Sequence, residues 1–411
     1  MKFHPLTFSA MTLLLAGPAF ADCGIAAGSV RILSNDFEAL QVLNAAAAEC
    51  ATDAVTVTSN ATTEHKNIQV PALTANPAEY TVAMVANNSI VPLLGAGLIR
   101  PLDDLVAKYG QQLQPNQLIK IDGKIMAIAF MANGQHLVLR GDLLKEAGFD
   151  APPASWAEVL KAAAAMKDKG LLDHPLAASD AAGWDLAAEF VNMYLGTGAD
   201  FFVPGSAELA IDNEQGRLAL QTMRDLTQYM APDYITFDTD SMAQLYRDGK
   251  VGVMNNWGSL AGSLIDPAKA LPTVTENTVF AAAPTIGGGT IPAAALWWDG
   301  FTIATNVSDA DAEASFQAMA HALAPETATK HPNAAVWLIA GYAPGPAAVG
   351  VVANANGGAQ PYPMVPWMGL LHETLGNELA DFIKGTEDAD KALADINAAY
   401  TAAAQQAGFL K

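Results

Sequence analysis

Short apolar segments alternate with helical segments early in this chain, and that alternation is the strongest constraint on its fold. Residues 30–33, 55–58 and 80–85 are predicted strands, and residues 38–50 carry helical spacing with an alanine-rich face. Strands separated by helices predict an α/β fold with a largely parallel sheet. Ligand sites in such sheets lie beyond the carboxyl ends of the strands, which are here residues 34–37 and 86–89.

The pattern continues over a chain that is too long for one core. Residues 124–138 and 298–305 are strand-like, residues 250–254 predict a buried strand, and Ser155 with Glu158 forms the capping-box pattern of a helix start. Single cores stop growing near ~250–300 residues. The 411 residues therefore predict more than one lobe.

The first 21 residues differ from the rest. Lys2 is their one charged residue, residues 6–16 are apolar, and Ala19-Phe20-Ala21 has the small-x-small pattern of a cleavage site. We predict an export signal at residues 1–21, cleaved after Ala21, and a periplasmic protein.

The two cysteines of the chain, Cys23 and Cys50, follow that segment. A pair of cysteines in an exported chain predicts a disulfide, here between the mature amino terminus and the end of the first helix. Two free buried thiols are the alternative. No His or Cys lies at ligand spacing from either residue, so we expect no metal site.

Acidic residues outnumber basic ones by 42 to 21. Binding of nucleic acid or anionic membranes requires clustered Lys and Arg, which this sequence lacks. We therefore expect neither as a partner.

Several segments resemble the family 1 extracellular solute-binding proteins, the maltodextrin-binding-like receptors of ABC importers. They are residues 123–130, Asn133, residues 137–148 and 152–158, then 245–254 with Trp257-Gly258, 298–304, 361–367, 385–388 and 391–393. Their order and spacing make the resemblance specific. Two departures are Trp298-Asp299-Gly300, where the family often has Gly-Gly, and Leu139 in place of a Tyr.

The resemblance implies a two-lobed, type II-like periplasmic binding protein fold. Each lobe would be a mostly parallel sheet flanked by helices, and crossing hinge strands would join the lobes around a ligand cleft. We place the first lobe at residues 22–131 and 300–345 and the second at residues 132–299 and 346–411.

A sugar site needs aromatic platforms for C–H faces and amides or carboxylates for hydroxyls. The resemblance gives Trp257 and Trp367 as stacking aromatics. Of the adjacent Trp297 and Trp298, only one can face the cleft, and Asp299 beside them could accept two hydroxyls. The other candidates are Asn35, Asp36 and Asn88 after strand ends, Gln135 and His136 after the first crossing, Trp184 and Glu189 in the second lobe, and Tyr342 near the hinge.

Each candidate also has a structural alternative. A tryptophan is often a core residue, Asn and Asp favour turns, a lone His is often structural, and Asp299 could be a surface acid. Trp184 and Glu189 are five residues apart and do not share a helix face well, so we expect at most one of them in the site.

The expected ligand is a neutral mono- or oligosaccharide, because an anion would need arginine side chains in the cleft, and Arg140 and Arg247 belong to family motifs that look structural. The alternatives are a polyol, a sugar phosphate or another polar small solute. The expected partners are ABC permease subunits in the inner membrane, or a chemoreceptor, and we expect a monomer without a cofactor.

The sequence contains no serine- or zinc-hydrolase motif, and we expect no catalytic residue and no enzymatic activity. A secreted glycoside hydrolase is the remaining alternative, because its two carboxylates leave no sequence signature.

Overall fold

The structure, a computed structural model, describes residues 23–411. The predicted export signal and its cleavage site lie outside the described residues. The strands are β1 Gly28–Ser34, β2 Val55–Ala61, β3 Val82–Ala86, β4 Leu118–Ile121, β5 Lys124–Asn133, β6 Gln135–Arg140, β7 Leu176–Ala177, β8 Val253–Trp257, β9 Thr278–Ala281, β10 Trp297–Ile303 and β11 Val336–Trp337.

Helices cover both sheets. They are α1 Glu38–Ala48, α2 His65–Thr74, α3 Ile90–Gly95, α4 Asp103–Tyr109, α5 Gly141–Ala147, α6 Trp156–Asp168, α7 Trp184–Gly196, α8 Glu214–Thr227, α9 Thr239–Arg247, α10 Gly258–Leu264, α11 Pro272–Thr275, α12 Asp309–Ala322, α13 Pro325–Lys330, α14 Val349–Asn356, α15 Met368–Ile383 and α16 Ala389–Gln406. In residues 23–411, no helix combines the length and apolar character that a membrane span requires.

The strands form two sheets, each with its own core. The first has the order β11-β5-β10-β3-β1-β2, with β4 also on β5, and the second has the order β7-β8-β6-β9. We call the elements around these sheets the first and second lobes. The chain crosses between them at Gly134, which alone separates β5 from β6, and returns through β10.

The expectation of mostly parallel sheets is wrong for both lobes. In the first, β1 pairs in parallel with β2 and β3, but β10 is antiparallel to both β3 and β5. In the second, only β7 and β8 of the described strands are parallel. A strand that crosses directly from the other lobe needs no covering helix, so it can run against its neighbours.

Local sequence signals predict one boundary correctly and miss another by three residues. Ser155 Oγ accepts a hydrogen bond from Glu158 N (3.3 Å), which caps α6. The strand expected at residues 250–254 begins three residues later, because α9 ends at Arg247 and a turn follows in which Gly249 has a φ of +72°. That shift puts Asn255 and Trp257 within β8.

The disulfide between Cys23 and Cys50 is confirmed, with the two Cα atoms 5.5 Å apart. It ties the segment before β1 to the end of α1. Both residues belong to the first lobe and lie against its core.

Candidate functional site

Four aromatic side chains of the second lobe meet where the two lobes face each other. The Trp184 ring lies 5.9 Å from that of Trp257 and 6.0 Å from that of Trp297, and Trp297 lies 4.2 Å from Tyr362. We call these four residues the aromatic cluster. Trp184 is the most open of them, at 36% exposed. A flat, partly exposed indole beside other rings is a platform for an apolar ligand face.

Element ends position the cluster. Trp184 is the first residue of α7, Trp257 the last of β8 and Trp297 the first of β10. Gly183, at a φ of +104°, turns the chain into α7, and Gly376 of α15 packs so closely on it that an added Cβ would lie 2.5 Å from the Gly183 carbonyl oxygen. The start of α7 is therefore held tightly against α15.

A hydrogen-bond chain also holds Trp184. The Tyr362 hydroxyl lies 3.1 Å from Nδ1 of His372, and Nε2 of His372 lies 3.0 Å from the Trp184 carbonyl oxygen. A carbonyl only accepts, so the ring proton is on Nε2 and Nδ1 accepts from the hydroxyl. Burial lowers the pKa of His372 to about 4, which keeps the ring neutral.

The first lobe contributes a cation to this cluster. Lys66, the second residue of α2, has its Nζ 4.6 Å from the centroid of the Trp184 ring. Its ammonium forms no hydrogen bond or ion pair within residues 23–411. Burial lowers the pKa of Lys66, and the nearby carboxyl groups of Asp299 and Asp185 raise it.

Asp299 and Asp185 are the two carboxyl groups whose charge acts on Lys66, and neither is within ion-pair distance of it. Asp299 lies in β10, and burial raises its pKa to about 7 while Lys66 lowers it. Asp185 follows Trp184 and accepts hydrogen bonds from the backbone N (3.3 Å) and Oγ1 (3.2 Å) of Thr239. The ammonium of Lys66 is thus in contact with an indole face, and two carboxyl groups are near enough to act on its charge.

A second polar group lies deeper in the second lobe. Oγ of Ser179 donates to Glu189 Oε1 (2.7 Å), and Nδ2 of Asn255 donates to Gln135 Oε1 (3.1 Å). Burial raises the pKa of Glu189 to about 8, with a further increase from Asp180. These side chains are all buried, in contrast to Trp184.

A cavity of about 610 Å³ opens beside Trp184. Asn88, Val91 and Pro92 line it from the first lobe, and Trp184, Tyr362 and His372 line it from the second. The buried Oδ1 of Asn88 has no hydrogen-bond partner among the described residues. The volume lies in the range of small-molecule sites.

The structure brings together only part of the predicted set. Trp184, Trp257 and Trp297 are in the cluster, Asp299 lies beside Lys66, and Asn88 lines the cavity. Trp297 joins the core of the second lobe, whereas Trp298 packs against the first and donates its backbone N–H to Asn87 Oδ1 (2.9 Å). Trp297 is therefore the member of that pair in the cluster.

Other candidates lie apart from the cluster. The fully buried His136 packs edge-on against Phe280, on the opposite face of β6 from Gln135. Trp367 contacts Phe202 and Phe409, and Tyr342 packs against the first-lobe core. These three side chains have structural surroundings.

Asn35 and Asp36 form hydrogen bonds with residues near them in the sequence. Asn35 Oδ1 accepts from the backbone N of Asp36 (2.8 Å), and the exposed Asp36 accepts from Gln41 Nε2 (2.8 Å). These local hydrogen bonds compete with a ligand role for both side chains.

Sequence reasoning missed Lys66, Tyr362, His372, Asp180 and Asp185. For Lys66 a signal existed. It follows the carboxyl end of β2, and the rule that selected the residues after β1 and β3 applies to that strand too.

Two lobes with an aromatic and polar site between them define the architecture of a two-domain binding protein. Residues 36–329 match the sequence model of the bacterial extracellular solute-binding proteins. The chain belongs to that family, whose members bind solutes, and the resemblance stated from the motifs is confirmed.

The chain is also similar to individual known proteins. A probable ABC transporter-binding protein of Deinococcus radiodurans is 23% identical over 165 residues, and the match spans 38% of this chain and 38% of that protein. Maltose-bound MalE3 of T. maritima is 18% identical at a TM-score of 0.78, covering 91% of this chain and 99% of that one.

A second similar structure is an ABC transporter solute-binding protein from Agrobacterium vitis S4 with bound D-mannitol. It is 20% identical at a TM-score of 0.76, covering 94% of this chain and 100% of that one. Both likenesses confirm the two-lobed α/β fold.

Proposed function

We propose that this protein is the substrate-binding component of an ABC importer and captures a neutral carbohydrate in the cleft between its lobes. The main support for this proposal is the aromatic cluster beside a cavity of about 610 Å³ that both lobes line. Sugar rings stack on indoles, and the hydroxyls would bond to amides and carboxyls such as Asn88 and Asp299. The similar structures carry maltose and D-mannitol, which supports a polyhydroxy ligand.

The cleft charges favour a neutral ligand over an anion. The ammonium of Lys66 already interacts with the carboxyl groups of Asp185 and Asp299, so a phosphate or carboxylate group would have to share that positive charge with them. The sugar phosphate alternative is therefore the weaker one, and a polyol remains the second candidate. Tight binding of glucose 6-phosphate without binding of any neutral sugar or polyol would overturn this proposal.

Closure would accompany binding. The proposed lobes, residues 22–131 with 300–345 and residues 132–299 with 346–411, would rotate about the crossings near Gly134 and β10. A ligand that touches both lobes favours the closed form by its differential affinity for the two forms. The closed protein would then dock on permease subunits.

The finer assignments belong to the same proposal. We propose a periplasmic monomer without enzymatic activity, released by cleavage after Ala21. Amino-terminal sequencing of the exported protein should begin at Asp22, and light scattering should give the mass of one chain.

Calorimetric titration with maltose, D-mannitol and D-glucose tests the binding site. At least one should bind to the wild type, and Trp184→Ala should weaken that binding by about five- to thirtyfold, since an indole platform contributes on the order of 1–2 kcal/mol. Trp367→Ala is the matched control and should bind normally. Equal affinities for wild type and Trp184→Ala would contradict the assignment.

A further inference from the structure

The aromatic cluster and its carboxyl groups have the composition of a site for an organic cation. An ammonium group binds over an indole face, and flanking carboxylates strengthen the attraction. Here Trp184 supplies the indole face, and Asp185 and Asp299 supply the carboxyl groups. Taken alone, this arrangement would favour amines over sugars.

In this protein the ammonium of Lys66 already occupies the position over the indole. Lys66 reaches from α2 of the first lobe to the Trp184 ring of the second, with Nζ 4.6 Å from the ring centroid. α2 packs on β1 and α3, whereas α7, which carries Trp184, packs on α8 and α15. The contact therefore joins the two lobes at the position that a ligand cation would take.

We propose that Lys66 is a specificity-determining residue that excludes organic cations from the cleft by occupying their binding position over Trp184. A soluble amine could bind over Trp184 only by displacing the ammonium of Lys66. The displaced ammonium would remain nearby and repel the bound amine, because both carry a positive charge. A neutral polyhydroxy ligand meets no such repulsion. Specificity of this kind comes from an element that disfavours the wrong ligand. The proposal rests on the cleft being the binding site, as proposed above.

Removing the lysine side chain should expose the cation site. The probe is n-butylammonium, which reproduces the lost group, and n-butanol is its neutral counterpart. Lys66→Ala should bind n-butylammonium about tenfold or more tightly than the wild type, because the position over the indole is then open. Tryptophan fluorescence and calorimetric titration would both report it.

Three further variants make the test specific. Lys66→Arg keeps a cation in place and should not gain affinity for the amine. Lys161→Ala removes an exposed lysine of α6 that forms no ion pair with the described residues, and it should behave as the wild type. Adding Asp299→Asn to Lys66→Ala should reduce the gain. If Lys66→Ala is unfolded by circular dichroism, Lys66→Gln with tetramethylammonium replaces it.

The outcomes separate this proposal from the carbohydrate proposal. A folded Lys66 variant that binds the amine no better than the wild type, or binds n-butanol equally well, overturns the role of Lys66. A gain in amine binding supports it even if maltose and D-mannitol fail to bind, a failure that would count only against the carbohydrate proposal.

Discussion

The ammonium of Lys66 lies 4.6 Å from the centre of the Trp184 ring, and this contact joins the two lobes inside the cleft. Cation–π contacts contribute roughly 0.5–2 kcal/mol, depending on how far they are removed from water. An interaction of that size shifts an equilibrium between open and closed lobes several-fold. We therefore expect Lys66 to stabilise the closed form in addition to its proposed role in ligand specificity.

Lys66→Met should therefore favour the open form. The thioether keeps the length of the side chain but loses the charge, so the attraction to Trp184 and Asp299 disappears. Small-angle X-ray scattering of the protein alone should give a larger radius of gyration for the variant. Lys161→Met is the control, and an unchanged radius in Lys66→Met would mean that the contact does not affect closure.

Lys66 shows which site residues can be predicted from the sequence and which cannot. Trp184, Trp257 and Asp299 could be selected because each stands in a segment with a family or strand-end signal. Lys66 meets Trp184 only after both lobes have folded and approached each other, and no local pattern encodes that distance. The prediction of mostly parallel strands is wrong because it also depends on distant segments. β10 pairs with β3 and β5 only after the chain has returned from the other lobe.

The adjacent tryptophans are a more local case. Alternation along a strand predicts that Trp297 and Trp298 point to opposite sides. Which side faces the second lobe depends on the register of β10, which shifts between Asp299 and Gly300. Gly300 is needed at this point because a Cβ there would lie 2.6 Å from the Ile128 carbonyl oxygen. The close approach involves a residue distant in sequence, so the sequence alone could not orient the pair.

Tyr362→Phe should weaken ligand binding through its effect on Trp184. The variant removes the donor to Nδ1 of His372, whose Nε2 holds the Trp184 carbonyl. Loss of a buried hydrogen bond costs about 1 kcal/mol of folding free energy. We expect a lower melting temperature and a several-fold weaker affinity for whichever sugar binds the wild type.

Tyr246→Phe is the matched control for that variant. Its buried hydroxyl donates to Thr278 Oγ1 (3.1 Å) in the second lobe, away from the aromatic cluster. Its melting temperature should fall similarly, but its affinity should not. Equal affinity losses in the two variants would indicate a general loss of stability.

Reduction of the disulfide should destabilise the first lobe. Cys23 and Cys50 are separated by 27 positions, and closing a loop of this length stabilises a fold by about 3.5 kcal/mol in the chain-entropy model. Scanning calorimetry with and without a reductant should show a lower unfolding temperature for the reduced protein. A Cys23→Ser, Cys50→Ser variant should reproduce that shift and be insensitive to the reductant.

Glu189→Gln should change how stability depends on pH. Burial raises the pKa of Glu189 from 4.5 to about 8, so the folded protein keeps a proton that the unfolded chain releases. Where the folded state binds more protons, stability falls as pH rises, here between about pH 4.5 and pH 8. The amide of Gln cannot ionise and can still accept the hydrogen bond from Ser179. The variant should therefore gain stability over the wild type at pH 8, by roughly 2–4 kcal/mol, and should match it near pH 4.5.

Melting temperatures measured from pH 4.5 to pH 8 test this, with Glu146→Gln on the surface as the control. A wild type whose stability rises over that range in step with the variant would show that Glu189 is already ionised in the folded protein.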